Sequence, residues 1–258
     1  MALFKFSKII TTKSTVVFTW NSNSIYHHQV VVPEFIERNY VCTFFVNPGE
    51  SDFHNFSEGY LCAANRGFEI GSHGHTHCHL SEISEIQYLS QLQLSQKAIK
   101  KLIQKPPTTF AFPYNDCTPK MLAVARQYYF ETKNALINSI QFELKTKTTV
   151  DEISTVVKNI TKGQTLVFSG HSVVSENENP IKNFLEYQPL YYSQLCAFLD
   201  IVKESNYCTQ VCTFEQAALK NYLLNYCNHD EFSVQINSAQ LNKLNSLGIS
   251  EERIMELI

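Results

Sequence analysis

The sequence is poor in glycine and in charged residues. Glycine contributes 8 of 258 residues, about 3%, and charged residues 17%, where globular proteins average about 7% and 25%. A net charge of −3 excludes a strongly basic nucleic-acid-binding protein, because phosphate contacts need clustered lysine and arginine. No apolar run approaches the roughly 18 residues that cross a bilayer, so no membrane span is predicted. Apolar residues still make up 44%, which is enough for a sizeable folded core.

The pattern of an export signal is also missing. Lys5, Lys8 and Lys13 interrupt the apolar residues at the start of the chain, whereas a secretory signal needs about 7 to 15 uninterrupted apolar residues. The eight cysteines are scattered, and the neighbours Cys208 and Cys212 lack a second pair to complete a zinc site. We therefore expect buried, reduced thiols and a cytoplasmic protein.

Strand-like and helix-like segments alternate along the chain. Runs of β-branched and aromatic residues predict strands at 14–20, 41–46, 68–70, 109–112, 165–169 and 210–213. Segments with helical spacing lie between or after them, at 29–38, 56–65, 81–104, 119–128 and 191–205. This order predicts an α/β fold with a parallel sheet, in which the loops at the carboxyl ends of the strands hold any active site.

Histidines and amides follow several of these strands. His73, His75, His77 and His79 follow the third strand, and His171 follows a later one. Imidazole is a common metal ligand, and the i, i+4 pair His73 and His77 would share one side of a helical turn. The alternation of all four would instead place them on one face of a strand. His27 and His28 are expected to be surface residues at the start of a helix.

Five segments in order resemble the polysaccharide deacetylase family, also called the NodB homology domain or carbohydrate esterase family four, over residues 15–218. They are Phe18-Thr-Trp-Asn-Ser-Asn23, Cys42-Thr-Phe-Phe-Val46, Glu69-Ile-Gly-Ser-His-Gly-His-Thr-His77, Ala111-Phe-Pro-Tyr-Asn115 and Leu166-Val-Phe-Ser-Gly-His171. The family counterparts are Thr-Phe-Asp-Asp-Gly, Ala-Thr-Phe-Phe-Val, Glu-Ile-Gly-Ser-His-x-x-x-His, a Tyr-Pro-Tyr-Gly variant and a strand that ends in histidine.

The resemblance implies an irregular (β/α) barrel of seven or eight strands, NodB-like and related to the TIM barrel. It also implies hydrolysis of an N-acetyl group on an amino sugar or oligosaccharide at a divalent metal, commonly zinc. By position in the motifs, His73 and His77 are metal ligands, His171 is the general acid and the backbone N–H of Tyr114 is the oxyanion donor. Trp20, Pro113 and Asn115 are expected to bind substrate.

The match breaks at the family's two adjacent aspartates. Asn21 stands at the position of the general base, and Ser22 at the position of the third metal ligand. An amide cannot accept the proton, and a neutral hydroxyl is a weaker ligand than a carboxylate, so lower activity and lower metal affinity are expected. His75, His27 or Asp116 could replace the missing ligand.

Two positions that are glycine in the family are asparagine here. Asn23 and Asn115 occupy them. Asparagine adopts positive φ more readily than other non-glycine residues, so the backbone turns are expected to survive at both positions.

Three hypotheses remain open. The first is a metal-dependent deacetylase of carbohydrate metabolism with weakened activity, and the second is a catalytically inactive carbohydrate-binding or regulatory protein on the same fold. The third is another metallohydrolase, since His73-x-His75-x-His77 also suits amidohydrolase-like or phosphoesterase sites. It is less favoured, because those sites place the histidine pair after the first strand. The sequence leaves the oligomeric state open.

The C-terminal part is expected to form a small helical extension. We predict a barrel over residues 1–228 and the extension over 229–258, with helices at 238–247 and 250–257 separated by Gly248. Ser238 and Ser250 have the residue type of helix N-caps, and Gly248 that of a helix C-terminus. Packing of the extension onto the barrel is the favoured interpretation, and an interaction hairpin is the alternative.

Overall fold

Eight parallel strands form the central sheet of the computed structural model, which describes residues 2–5, 14–177, 188–205, 210–229 and 233–257. The spatial order is β6-β5-β4-β3-β2-β8-β7, with β11 paired beside the first half of β2. The bounds are β2 Thr15–Asn21, β3 Thr43–Val46, β4 Glu69–Ser72, β5 Thr109–Phe110, β6 Glu131–Thr132, β7 Ser139–Glu143, β8 Thr165–Gly170 and β11 Gln210–Cys212. The outermost strands β6 and β7 are not joined by a described ladder, so the barrel has a seam there.

Helices lie between most consecutive strands of the sheet, because parallel strands need a crossover connection. They are Val32–Glu37, Ser51–Asn55, Ser57–Asn65, Glu85–Ile103, Pro119–Ala125, Val150–Asn159, Tyr192–Glu204 and Phe214–Tyr226. A π-helical turn, His27–Val31, precedes the first of them, and a two-stranded parallel pair, β9 Val173–Val174 and β10 Leu190–Tyr191, follows β8. None of the helices in the described ranges is long and apolar enough to cross a membrane.

The core has two layers because side chains alternate across each strand. From β2, Phe18 and Trp20 pack outward with residues of the surrounding helices such as Phe35 and Phe198. Val17, which precedes Phe18, faces the other way, into the cluster that also contains Phe214. All seven residues of β2 are buried, as are all residues of its neighbours β3 and β8.

The C-terminal segment is not purely helical. Strand β13, Ser233–Ile236, pairs with β1, Ala2–Lys5, and with β12, Asn228–His229, in a small antiparallel sheet that the sequence did not predict. Helices follow at Ser238–Ser246 and Glu251–Leu257, close to the predicted positions.

The helix ends in this segment follow the sequence signals in part. Gly248 has φ +88°, as expected, and the Ser250 hydroxyl accepts from the Arg253 N–H at 3.2 Å. The N-cap of the first helix is Asn237 and not Ser238: its Oδ1 accepts from the Gln240 N–H at 2.9 Å.

Candidate functional site

Polar side chains from the carboxyl ends of most sheet strands meet in one cleft, as the fold class predicts. Its walls are formed by the residues that end or follow β2, β4, β5, β6, β7 and β8. They include Asn21, His73, His77, Tyr114, Asn115, Lys133, Asn134, Gln141, Phe142, Glu143, Ser169 and His171. The cavity measures about 500 Å³ and continues past Asn21, His77 and His171 into a second lobe of about 260 Å³. A sugar residue fits a cavity of this size.

His73 is held in one tautomer. It follows β4, is 1% exposed, and its Nδ1 lies 2.8 Å from the carbonyl oxygen of Ala111, to which it donates. The lone pair is then on Nε2, which is the arrangement found in metal-bound histidines. Burial, and next the charge of His77, hold the pKa of His73 well below its usual value, so the ring is neutral at pH 7.

His77 lies beside His73 and is positioned by Tyr114. The centroids of the two imidazole rings are 5.0 Å apart, and the Tyr114 ring packs edge-on against His77 at 4.4 Å. The Tyr114 hydroxyl donates to the His77 carbonyl oxygen at 3.3 Å, and its ring stacks on His79 at 3.9 Å. Burial lowers the pKa of His77 as well. The structure therefore brings His73 and His77 together, but in a loop that forms neither the helical turn nor the strand considered from the sequence.

Asn21 and Ser22 end strand β2 at the centre of the cleft. Asn21 is 8% exposed, and its Oδ1 has no hydrogen-bond partner among the described residues. The Ser22 hydroxyl is likewise buried and unpaired, and its backbone has φ +64°. Positive φ therefore falls on Ser22 and not on Asn23, whose amide bridges to the Asn47 backbone. Asn115 has φ +55°, as expected for a residue that replaces glycine.

His171 follows β8 and lines both lobes. Burial, and next the charge of Lys133, lower its pKa to about 4, so the imidazole is neutral at pH 7. A general acid must be protonated, and this environment disfavours the protonated form. The His171 carbonyl oxygen lies 2.8 Å from Nε2 of His27, and this hydrogen bond holds the loop after β8 against the core.

His27 is a core residue and not a surface one, which corrects the sequence prediction. It is fully buried, stacks on Phe44 at 4.9 Å and lies 3.1 Å from the Tyr60 hydroxyl. Burial lowers its pKa to about 3. Apolar neighbours and two hydrogen-bond partners hold it in place, so it does not reach the cleft.

Two predicted substrate contacts are also corrected. Trp20 is fully buried beneath the cleft against Gly170, where an added Cβ would meet the indole at 2.8 Å. Pro113 is buried in the turn behind Gly74 and does not line the cleft, whereas Asn115 does.

Lys133 and Glu143 line the cleft but were not identified from the sequence. Lys133 follows the two-residue strand β6 and is 5% exposed, and its Nζ donates to the Ser169 hydroxyl at 3.2 Å. Glu143 ends β7 and forms an ion pair of 2.7 Å with Lys145. Neither residue belongs to a sequence motif. Only the prediction of strands β6 and β7 would have placed these two residues at the cleft.

The residues do not make a complete divalent-metal site. Two neutral imidazoles fit such an ion, but no group of three histidine, cysteine, aspartate or glutamate side chains suited to a metal occurs in the described part of the chain. His75 packs against Gly49, and Asp116 accepts from the Ser81 N–H at 2.8 Å, so neither replaces the third ligand. The Glu50 carboxylate is 3.4 Å from the His77 backbone N–H, in the second lobe.

The fold and the strand-end cleft define a (β/α)-barrel protein with a histidine-lined site. The family model described as polysaccharide deacetylase matches residues 8–132 of the chain. This match and the structural similarities below confirm the resemblance to that family, and four of the five motifs lie within the matched residues.

Solved structures of the same fold cover most of the chain. Peptidoglycan deacetylase PdaC from Bacillus subtilis is 18% identical with a TM-score of 0.58, over 82% of this chain and 92% of that one. The Bc1960 peptidoglycan N-acetylglucosamine deacetylase is 17% identical with a TM-score of 0.59, over 83% and 91%. A mutant of BA3943, a family 4 pseudoenzyme with restored enzymatic activity, is 13% identical with a TM-score of 0.58, over 81% and 68%. These structures confirm the predicted irregular (β/α) barrel. No curated protein sequence matches the chain significantly.

Proposed function

We propose that the cleft binds an N-acetylated amino sugar or oligosaccharide, and that the unmodified chain hydrolyses the acetyl–nitrogen bond very slowly or not at all. The observation that carries this proposal is the pair Asn21 and Ser22 at the end of β2. Both keep their side chains at the centre of the cleft, but neither can accept a proton at neutral pH. Loss of a general base typically lowers a rate by about 10²- to 10⁴-fold.

The surrounding charges support slow turnover. The Glu143 carboxylate, which also lines the cleft, is paired with Lys145. The low pKa of His171 leaves little of the protonated imidazole that would donate to a departing amine. The amide of Asn21 and the backbone N–H of Tyr114, the proposed oxyanion donor, are groups suited to hydrogen-bonding an N-acetyl group.

A second candidate is a metal-dependent deacetylase with low metal affinity. The tautomer of His73 favours it, because its Nε2 lone pair and the neighbouring His77 suit a zinc ion. Ser22 would then be a weak third ligand. This second candidate includes a bound divalent metal, with zinc as its proposed identity, and a substrate contact by Asn115.

Acetate release separates the two candidates. N-acetylglucosamine oligomers are incubated with zinc or cobalt and the unmodified chain, the Asn21→Asp/Ser22→Asp double variant, or His171→Ala. We expect no acetate above the blank from the unmodified chain and measurable release from the double variant. Turnover by the unmodified chain that His171→Ala abolishes would establish the second candidate in place of the first.

Binding is tested without turnover. Calorimetric titration of the unmodified chain with N-acetylglucosamine oligomers is expected to show a complex that Asn134→Trp, which fills the cleft wall from an exposed position, weakens at least fivefold. Lys120→Trp, at an exposed position outside the cleft, is the matched control. Absence of any complex would contradict the proposed function.

The cytoplasm is our proposed location. The seven cysteines in the described ranges are all free thiols, which is the usual state in a reducing compartment. Cys208, expected to be reduced like the others, lies outside the described residues.

A further inference from the structure

Lys133 places a positive charge in the cleft. Lys133 is 5% exposed, and its Nζ donates to the Ser169 hydroxyl at 3.2 Å. The lysine lines the same cavity as His73, His77 and His171. Burying an ammonium group is costly unless an opposite charge compensates it.

The described part of the protein supplies no such partner at close range. No carboxylate lies within 4.0 Å of the Lys133 ammonium among the described residues. Glu143 lines the same cavity and its charge raises the pKa of Lys133, but its carboxylate is paired with Lys145 at 2.7 Å. Burial lowers the pKa of Lys133 to about 8, which leaves most of the amine charged at pH 7.

The cavity beside Lys133 therefore lacks the two negative charges that a site with two aspartates would hold at the end of β2. Its one lining carboxylate in the described part of the chain, Glu143, is paired with Lys145, and Glu50 and Asp52 line the second lobe. Asn21 and Ser22 are neutral, and the positive charge of Lys133 lowers the pKa of both His73 and His171. A divalent cation would be repelled by the same charge, whereas an anion would be attracted. Asn21 can also turn its amide so that the NH₂ group donates to an anion, since its Oδ1 has no partner.

We propose that the cleft binds a carboxylate, with the Lys133 ammonium as its charged contact and the Asn21 amide as a hydrogen-bond donor. A single ammonium group matches a singly charged ligand. The carboxylate belongs either to a free small acid or to an acidic amino sugar. The second source rests on the proposed carbohydrate function, and the first does not.

A matched pair of sugars and a simple acid test the proposal. N-acetylglucosamine and N-acetylglucosaminuronic acid differ only in that the acid carries a carboxylate at C6, and sodium acetate supplies the group alone. Calorimetric titrations at pH 6.5 and low salt use the unmodified chain, Lys133→Met and Lys133→Arg. The control is Lys220→Met, because Lys220 is also a buried lysine, 3% exposed, bonded to Thr15 at the opposite end of β2.

The unmodified chain and Lys220→Met are expected to bind the sugar acid at least tenfold more tightly than the neutral sugar. Lys133→Met should reduce that preference to less than twofold, and Lys133→Arg should retain most of it. Acetate should bind the unmodified chain and not Lys133→Met. Thermal unfolding of each variant shows whether it is folded, and the comparison of the two sugars on the unmodified chain does not depend on any variant.

The results distinguish this proposal from the proposed function. Equal affinity for both sugars, with no binding of acetate, overturns the carboxylate site and leaves the carbohydrate function standing. Failure of both sugars to bind overturns the carbohydrate function, and acetate then decides the carboxylate site by itself. A preference for the acid that persists in Lys133→Met overturns the assignment of the lysine.

Discussion

Buried histidines in and behind the cleft are held neutral by their surroundings. His73 and His27 are 1% and 0% exposed, and burial is the largest cause of the lowered pKa in each. His27 has no place in a motif, and yet it links three parts of the fold: β3 through Phe44, the helix Ser57–Asn65 through Tyr60, and the loop after β8 through the His171 carbonyl. The precision of the His171 position therefore depends on a residue in the core.

Replacing His27 tests that link. His27→Phe keeps the stacking area but leaves the His171 carbonyl oxygen and the Tyr60 hydroxyl without this partner, so we expect a loss of about 1–3 kcal/mol in the free energy of unfolding at pH 7. Because the pKa of His27 is lowered from 6.5 to about 3 in the folded state, the unfolded state takes up a proton first as the pH falls. The stability that His27 contributes is therefore complete above pH 6.5 and declines toward pH 3.

Urea unfolding at pH 7 and pH 5 measures this difference. The gap between the unmodified chain and His27→Phe should shrink by about 2 kcal/mol at pH 5, since one pKa unit corresponds to about 1.4 kcal/mol. His54→Phe, at an exposed position, is the matched control. A gap that is independent of pH would show that the pKa of His27 is the same in the folded and unfolded states.

Metal affinity is a second residue-scale prediction. The unmodified chain should bind zinc weakly, and the Asn21→Asp/Ser22→Asp variant at least 100-fold more tightly, because a carboxylate ligand is restored beside two neutral imidazoles. A competition titration with a zinc-sensitive dye gives both constants. His73→Ala/His77→Ala in the double-variant background should abolish the gain. An unchanged affinity would show that the histidine pair is not the site.

Site residues could be predicted from the sequence only where a motif carried them. His73, His77, His171, Asn21, Ser22 and Asn115 all meet at the cleft. Trp20 and Pro113 belong to the same motifs, but alternation along β2 and the turn after β5 bury their side chains. Lys133 could not be found, because a single lysine after a two-residue strand has no sequence signature.

At the scale of elements, long periodic segments were predicted and short ones were missed. The helix Glu85–Ile103 agrees with its apolar spacing, and its Ser84 N-cap forms a capping box with Gln87. Strands β6 and β7 were not predicted because they are short or only half-buried. The helix Val150–Asn159 was also missed, although Thr149 and Glu152 form a capping box whose spacing is visible in the sequence.

The capping box of this helix gives an element-scale prediction. Thr149→Ala removes the hydroxyl that accepts from the Glu152 N–H at 3.2 Å, so we expect a loss of about 1 kcal/mol in the free energy of unfolding. Thr155→Ala makes the same chemical change at an exposed position inside the helix, where alanine has the higher helix propensity, and should stabilise slightly. Urea unfolding compares the two. Equal effects would contradict the role of Thr149 as a cap.

At the scale of the whole molecule, the C-terminal segment contributes to the same core as the barrel. Leu219 and Leu223 of the last barrel helix form one apolar cluster with Val234, Leu244 and Ile254. Arg253 also binds the buried Glu215 carboxylate at 2.6 Å, and the Glu215 backbone N–H donates to Glu69 at 2.8 Å. These contacts support packing of the extension onto the barrel. The division at residue 228 remains a prediction.

Shortening the chain after Asn228 tests this packing. The truncation exposes Leu219 and Leu223 and leaves the Glu215 carboxylate without its cation, so we expect a loss of more than about 3 kcal/mol in the free energy of unfolding. The full chain should unfold in one cooperative transition by calorimetry. Arg253→Met isolates the ion pair from the apolar contacts. Two separate transitions in the full chain would indicate that the extension folds independently.

Lys133, which follows β6 at the barrel seam, also affects how much hydrolysis two aspartates at positions 21 and 22 would provide. An aspartate restored at position 21 would share its cavity with the Lys133 ammonium, and an ion pair between the two would lower the basicity of the carboxylate. Asn21→Asp/Ser22→Asp should then recover less hydrolysis than the same pair combined with Lys133→Met. The effect of the two aspartates on hydrolysis therefore depends on which residue occupies position 133.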